Sequence, residues 1–278
     1  MNPYLSVCLG IGGVLTNELL DRLRVSTDKN LALAESYGVP MELVICDWGM
    51  KLPTPKPSLE RIWKDFIHVR IIHVPRSVCY AVPNPNRLPY LEFQPKNVAI
   101  RRARGQWILS TNPDDVWSSE FVEFLSWELL HKDNFYRVNR YDVKYGKVFR
   151  ICYETCCAAP GEPHNVPTPG GVEPGGLHFN AAGDFLLMHR DSWWNMHGHP
   201  EQPYSHTVDG QSVYLAHLKG LKQVILPFPL YHPEHDRTLN LNVDGELIAP
   251  DWDGNHPHTK ENDDSWGQAG MDFEETVL

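Results

Sequence analysis

The chain lacks a long hydrophobic run. None of its apolar stretches approaches the ~20 residues needed to span a bilayer, so no transmembrane segment is expected. The N-terminus, Met1-Asn2-Pro3-Tyr4-Leu5, has neither a charged leader region nor an apolar one, so no signal peptide is expected either. Basic charge is scarce, with 25 Lys and Arg against 35 Asp and Glu and a net charge of -10. Displacing counterions from nucleic-acid phosphates needs a basic stripe, and nucleic acid is therefore not an expected partner. The expectation is a soluble, cytoplasmic protein. Zinc-type cysteine spacing is also lacking. Cys8 and Cys46 fall inside apolar runs, Cys79 stands alone, and Cys152, Cys156 and Cys157 have no second CxxC-type pair. Reduced, buried thiols are the reading. Finally, the dinucleotide fingerprint is incomplete: Gly10-Ile11-Gly12-Gly13 follows an apolar run, but Leu15 stands where GxGxxG requires glycine.

What is present is enough apolar material for a sizeable core, at 42% of 278 residues. Leu5 to Leu9, Glu42 to Cys46 and Val69 to Val74 read as buried strands. Asn17 to Tyr37 has helical spacing and stops at Gly38-Val39-Pro40. Strands alternating with helices predict a parallel sheet with crossover helices. A Pro- and Asn-rich stretch from Pro83 to Pro95 reads as a loop. A basic helix is expected from Asn97 to Arg104, then a strand from Gln106 to Ser110 and a helix from Ser119 to Leu130. Phe135 to Val143, Val148 to Tyr153, Asp184 to Met188 and Val224 to Leu226 read as further strands. Asp191 to Met196 and Val213 to Leu218 read as helical. Ala158 to Gly176 is rich in Pro and Gly and suits a lid or an insertion. From Asp251 the chain is polar and acidic, with Trp252 and Trp266 as anchors.

Chemistry-bearing residues gather at strand ends, where open α/β sheets bind their ligands. Gly10, Ile11 and Gly12 end the first strand and leave the backbone open to a nucleotide base. Asp47 and Trp48 end the second, with an acceptor for a base N–H or a ribose hydroxyl beside an aromatic wall. Asp47 equally suits a turn before Gly49. Asn112-Pro113-Asp114-Asp115 follows the fourth, and its oxygens suit a hard divalent cation, Mn²⁺ or Mg²⁺. The same turn suits the N-terminus of the next helix. Arg101, Arg102 and Arg104 point three ways around a helix, so one or two can meet phosphate while the others form a solvated face. Tyr231-His232-Pro233-Glu234-His235 offers two imidazoles three residues apart. Asp184, Glu201 and Asp209 are further acids, and Asp209 also suits a helix cap.

In order, these pieces resemble the family-2 type of GT-A glycosyltransferases. The family's N-x-G-I-x-x-A-R-G helix corresponds to Asn97 through Gly105, and its D-x-D-like turn to Asn112-Pro113-Asp114. The small-residue strand with an R-x-x-W helix corresponds to Gly183 through Trp193, followed by Gly198-His199-Pro200-Glu201 and Asp209. Tyr231-His232 resembles the late histidine of the metal site. Ala99 stands where the family has glycine, and Asn112 where it has aspartate.

The resemblance implies a mixed, mostly parallel sheet flanked by helices. It implies one catalytic domain over 1–240, with a nucleotide-binding half to about 118 and an acceptor-binding half after it, and an acidic tail over 241–278 packed on the domain. It further implies metal-dependent transfer, with inversion, from a nucleotide-diphosphate sugar to a glycan hydroxyl. A UDP-sugar is favoured, and the likeness to large-virus members suggests UDP-xylose. Asp114, Asp115, His232 and His235 would hold the metal. Gly10, Ile11, Gly12, Asp47, Trp48, Asn97, Arg101, Asn112 and Asp184 would contact the nucleotide sugar. Asp209 would be the general base, with Glu201 second in line. Two alternatives differ in class. A sugar nucleotidyltransferase calls for Lys or Arg in its first glycine-rich loop, and Gly10 to Leu20 has none. A binding module without turnover is kept open by Asn112.

Overall fold

Thr16 accepts a hydrogen bond from the Leu19 amide and so starts the first helix, α1 (Asn17–Ser36). Leu20, Leu23, Leu31 and Ala34 recur at helical spacing and are buried on one face of a sheet. Gly38, at φ 65°, takes the left-handed turn that ends the helix region. The protein is described here from a computed structural model. It covers residues 3–14, 16–51, 68–152, 177–179, 181–204, 207–235, 244 and 259–278, without the side chains of 13, 14, 50, 51 and 149–152. The Pro/Gly-rich stretch 158–176, Cys156, Cys157, Asp236 and Trp252 lie outside the described residues.

Four parallel strands form the N-terminal half of the sheet. They are β1 (Leu5–Val14), β2 (Met41–Lys51), β3 (Val69–Val74) and β4 (Trp107–Thr111), in the order β3-β2-β1-β4. β1 continues past Leu9 through its glycines and pairs with β2 as far as Lys51. The other half is mixed. It contains β5 (Val116–Trp117), β6 (Asn134–Lys144), β7 (Lys147–Cys152), β8 (Phe185–His189) and β9 (Lys222–Pro233). β8 runs antiparallel to both β4 and β6, β9 parallel to β6, and β5 antiparallel to β9. β7 closes a hairpin on β6. β9 is much longer than the three residues legible as a strand, and it carries His232 within it. A last strand, β10 (Glu274–Val277), adds antiparallel to the outer edge of β3.

The period-two alternation of β1 divides the core. Leu5, Val7, Leu9 and Ile11 face α1 and α4 (Ser119–Ser126), where Phe121, Val122 and Leu125 are buried. Cys8 faces the opposite layer with Val44 and Cys46, against α3 (Phe93–Arg102), α5 (Arg190–Asn195) and α6 (Val208–Leu218). α2 (Arg76–Ala81) is a short surface helix without buried residues. The expected thiol burial holds for Cys8 and Cys46, whereas Cys79 is partly exposed.

α3 differs from its sequence expectation at both ends. It begins at Phe93, inside the stretch read as loop, because Pro95 fits the first helical turn where its missing N–H is no loss. It ends at Arg102. Arg101 and Arg102 are not a solvated face, whereas Arg104, past the helix end, is exposed. Arg101 stacks on the buried Trp266, with the guanidinium 4.8 Å from the ring, and donates to the Trp266 carbonyl. Arg102 donates to the carbonyls of Gly267, Gln268 and Met271. Arg104 lies 3.5 Å from Glu275. The basic helix thus anchors the C-terminal segment 259–278 to the body.

Candidate active site

The turn after β4 is shaped from a distance. Ser26 of α1 donates to the Pro113 carbonyl at 2.5 Å, and Asn30 donates to the Asp115 carbonyl at 2.9 Å while accepting from the Trp117 amide. Three anchors on one rigid helix fix which way each carboxylate points. Asp115 points inward and is 1% exposed, with Oδ2 accepting from Thr111 Oγ1 and the Asn112 amide. Burial, then the charges of Asp184 and Asp114, push its carboxyl well above the usual range. Asp115 thus points away from the metal-type cluster and stands outside it.

Asp114 points the other way. Its carboxylate comes together with His232 and His235, the three candidate donor atoms lying within 4.8 Å of one another. His235 Nε2 is 3.1 Å from Asp114 Oδ2, and Arg22 Nε is 3.6 Å from the same oxygen. Burial opposes ionisation of Asp114. The His235 hydrogen bond and the neighbouring His232, His235 and Arg22 charges outweigh it and hold the carboxyl below its usual range. For His232, burial dominates over the nearby carboxylates, and its pKa is lowered. Both shifts run toward deprotonated groups, the direction that metal ligation needs. Among the described residues His232 Nδ1 has no hydrogen-bond partner, although Asp142 Oδ1 lies 3.2 Å away. The residues fit a divalent cation. Two imidazoles with one carboxylate suit Mn²⁺ better than Mg²⁺, which prefers an all-oxygen shell.

Behind this cluster lies a polar chain that sequence reading missed. Arg140 Nε is 3.0 Å from Asp142 Oδ1, and Arg140 Nη1 donates to Asp184 Oδ2 at 2.5 Å. Asp142 is the register partner of His232 across β6 and β9. Arg140 and Asp142 stand two apart on β6, hence on one face. A charged pair at period two inside an otherwise buried strand was the available signal. Asn112 Nδ2 donates to Asp184 Oδ1 at 2.5 Å, and Lys96 Nζ donates to Asn112 Oδ1 at 2.7 Å.

The remaining candidates separate into two groups. Asp47 stands at the end of β2, partly exposed, with His73 Nδ1 3.3 Å from its Oδ2. Asp209 lies in the first turn of α6 and accepts from the Gly183 amide at 3.1 Å, beside Asp184. These two remain at the strand-end side of the sheet. The others are engaged by the chain itself. A Cβ on Gly10 or Gly12 would overlap Tyr90, and on Gly10 also Pro95, so these glycines make room for a side chain rather than for a base. Ile11 and Trp48 are core residues. Asn97 donates to the His199 carbonyl and Glu201 Oε1 and accepts from the His199 amide, which uses its whole amide. Arg101 is turned to Trp266. Glu201 Oε1 also accepts from the Gly267 amide at 2.7 Å, which makes it a clamp on the C-terminal segment. Burial raises its pKa.

A groove of about 740 Å³ opens at Asp114, between Arg22 and Val25 of α1 and Val143, Tyr231 and Pro233 of the strands. Its size is in the range of small-molecule sites.

No family model matches this sequence, and no curated protein does. Solved structures do match. The chain is similar to S. aureus TarS 1-349 at 13% identity, TM-score 0.53, covering 82% of this chain and 60% of that one. The same protein in complex with UDP-GlcNAc is similar at 13% identity and TM-score 0.53, covering 84% and 60%. The mannosyltransferase PcManGT from Pyrobaculum calidifontis, in complex with GDP-Man and Mn2+, is similar at 12% identity and TM-score 0.53, covering 86% and 59%. The chain therefore spans about three fifths of the length of these neighbours. At such identity the likeness establishes the fold: this is the GT-A architecture, a mixed and mostly parallel sheet flanked by helices. No helix among the described residues is long and apolar enough to cross a membrane.

Proposed function

We propose that this chain is a metal-dependent glycosyltransferase. It would move a sugar from a nucleotide-diphosphate sugar, with UDP as the favoured nucleotide, to a hydroxyl of a glycan acceptor, with inversion. The observation that carries this reading is the convergence of Asp114, His232 and His235 beyond the end of β4 in a GT-A fold. His232, at the far end of β9, and His235, two residues past its end, stand more than a hundred residues along the chain from the turn.

Each residue then has a task that its position supports. Asp47 accepts a hydrogen bond from the base or ribose. Asp114, His232 and His235 hold Mn²⁺. When bound, the cation neutralises charge that builds on the diphosphate leaving group. Asp209 takes the proton of the acceptor hydroxyl. The acceptor oxygen forms its bond to the anomeric carbon as the bond from that carbon to the phosphate oxygen breaks, and the nucleoside diphosphate leaves with the electron pair. The buried Arg140–Asp184 ion pair stands behind the metal cluster.

The test is a thermal-shift panel of UDP, GDP, UDP-GlcNAc, UDP-xylose and GDP-mannose, each with Mn²⁺ and with EDTA. Binding to the folded state raises the melting temperature by mass action. UDP or a UDP-sugar is expected to stabilise with Mn²⁺ and not with EDTA. Asp209→Asn is expected to keep that shift and lose transfer. Absence of a shift with every nucleotide would overturn the reading.

A further inference from the structure

Asn112 occupies the first position of the metal turn, where the family pattern has aspartate, and its surroundings account for the exchange. Lys96 is 0% exposed and places its ammonium against Glu92 Oε1 at 2.6 Å, Asn112 Oδ1 at 2.7 Å and the Gly183 carbonyl at 2.8 Å. An ammonium has three donors and no acceptor, so the Asn112 atom that faces it is the oxygen. The amide nitrogen is thereby turned toward Asp184 Oδ1, at 2.5 Å. Lys96 decides the orientation of the amide, and the amide in turn decides what Asp184 meets.

Asp184 is 4% exposed and accepts from Asn112 on one oxygen and from Arg140 on the other. Arg140 reaches Asp142 at 3.0 Å, and Asp142 stands 3.2 Å from His232. A continuous line of contacts joins the buried lysine of α3 to a candidate metal ligand on β9. Groups behind a ligating histidine fix its ring and its tautomer.

We infer that Asn112 is a positioning residue and not a metal ligand: held by Lys96, its amide keeps Asp184 on Arg140 and thereby supports the wall behind His232. The inference rests on the reading of Asp114, His232 and His235 as a metal site. A carboxylate at position 112 would still accept from Lys96, but it would face Asp184 with like charge where a donor now stands.

The experiment compares Asn112→Asp, Asn112→Ala and the double exchange Asn112→Asp with Asp184→Asn, all in the full chain. Mn²⁺ alone is titrated by calorimetry, and melting temperatures are read without metal. A ligand position predicts opposite effects, tighter Mn²⁺ binding with Asp and weaker with Ala. The positioning role predicts that both single variants weaken Mn²⁺ binding, by roughly tenfold or more. It also predicts that both lower the melting temperature, and that the double exchange regains most of the loss in melting temperature caused by Asn112→Asp. Recovery is expected because an amide again faces a carboxylate, in the reversed sense. Tighter Mn²⁺ binding by Asn112→Asp at an unchanged melting temperature would overturn the inference, as would strictly additive melting shifts. Should the double exchange not fold, the direction of the Asp and Ala effects on Mn²⁺ decides alone. If the wild type binds no Mn²⁺, the metal reading fails, and the inference fails with it. If the wild type binds Mn²⁺ but not nucleotide, the proposed function fails while the inference stands or falls on the variants.

Discussion

His73 Nδ1 lies 3.3 Å from Asp47 Oδ2, and the other ring nitrogen of His73 lies 3.0 Å from Thr276 Oγ1. The C-terminal strand β10 therefore reaches, through one imidazole, the carboxylate proposed to meet the nucleoside. Thr276→Val keeps the shape of the side chain and removes the hydroxyl. It is expected to weaken UDP binding several-fold while leaving the Mn²⁺ affinity unchanged. A calorimetric titration of UDP into wild type and variant checks this, and equal affinities would count against it.

Removal of His232 or His235 addresses the metal cluster directly. His232→Ala is expected to abolish the Mn²⁺-dependent rise in melting temperature. EDTA should have no further effect on that variant. Mg²⁺ is expected to stabilise the wild type less than Mn²⁺ at equal concentration, because two of the three donors are imidazoles. Differential scanning fluorimetry across a metal series reads all three outcomes.

Asp115→Asn is expected to stabilise the protein near pH 7.5. The folded carboxyl has its pKa raised by burial and by Asp184 and Asp114. Such an acid holds a proton that the unfolded chain releases above pH ~4, so folding carries a penalty that grows with pH up to the folded pKa. An amide carries no such penalty. The melting temperature should rise at roughly 2–4 °C per kcal/mol for a domain of this size. A fall in Mn²⁺ affinity in this variant would instead return Asp115 to the metal.

His199 makes the opposite contribution in acid. It is fully buried between Phe93 and Trp193, with its ring nitrogens 2.9 Å from Ser110 Oγ and 2.7 Å from Ser212 Oγ. Burial, then the charge of Lys96, lowers its pKa well below the usual value. The unfolded chain takes up a proton near pH 6.5 that the folded chain refuses. This stability is present above that pH and is lost as pH falls, at up to about 1.4 kcal/mol per pH unit. His199→Gln should lower stability at pH 7.5 and flatten its decline between pH 6.5 and 5. Chemical denaturation across that range measures the slope.

Thr207 adopts φ 68°, a left-handed conformation that a β-branched residue rarely takes, two residues before Asp209. Strain of this kind is worth about 1–3 kcal/mol. Thr207→Gly should raise the melting temperature by a few degrees. If the strained turn aims Asp209, the same variant should lower kcat for transfer without changing donor affinity. A variant with unchanged kcat would place the strain outside the reaction.

Much of the fold was legible because its signals are local. The β3 bounds follow from the apolar residues Val69, Ile71, Ile72 and Val74, and α1 follows from its leucine spacing and Gly38. The long strand β9 was not, because Pro227, Pro229 and Pro233 break the apolar pattern that marks a strand, while pairing with β6 sustains it. The arginines of α3 could not be read either. Their partners are backbone carbonyls more than 160 residues away, and a carbonyl leaves no trace in a sequence pattern.

By itself the sequence determined the alternation of strands and helices and the turn after β4. It also determined the set of acids and histidines from which a site is drawn, since periodicity and turn chemistry act between near neighbours. Tertiary structure alone decided which of two adjacent aspartates faces the histidines. Ser26 and Asn30 grip the turn from another element, and side-chain direction in a turn follows the contacts that pin its backbone. It also decided that Asn112 serves Lys96 and Asp184, because an amide's orientation is set by the charges around it and not by its neighbours in the chain.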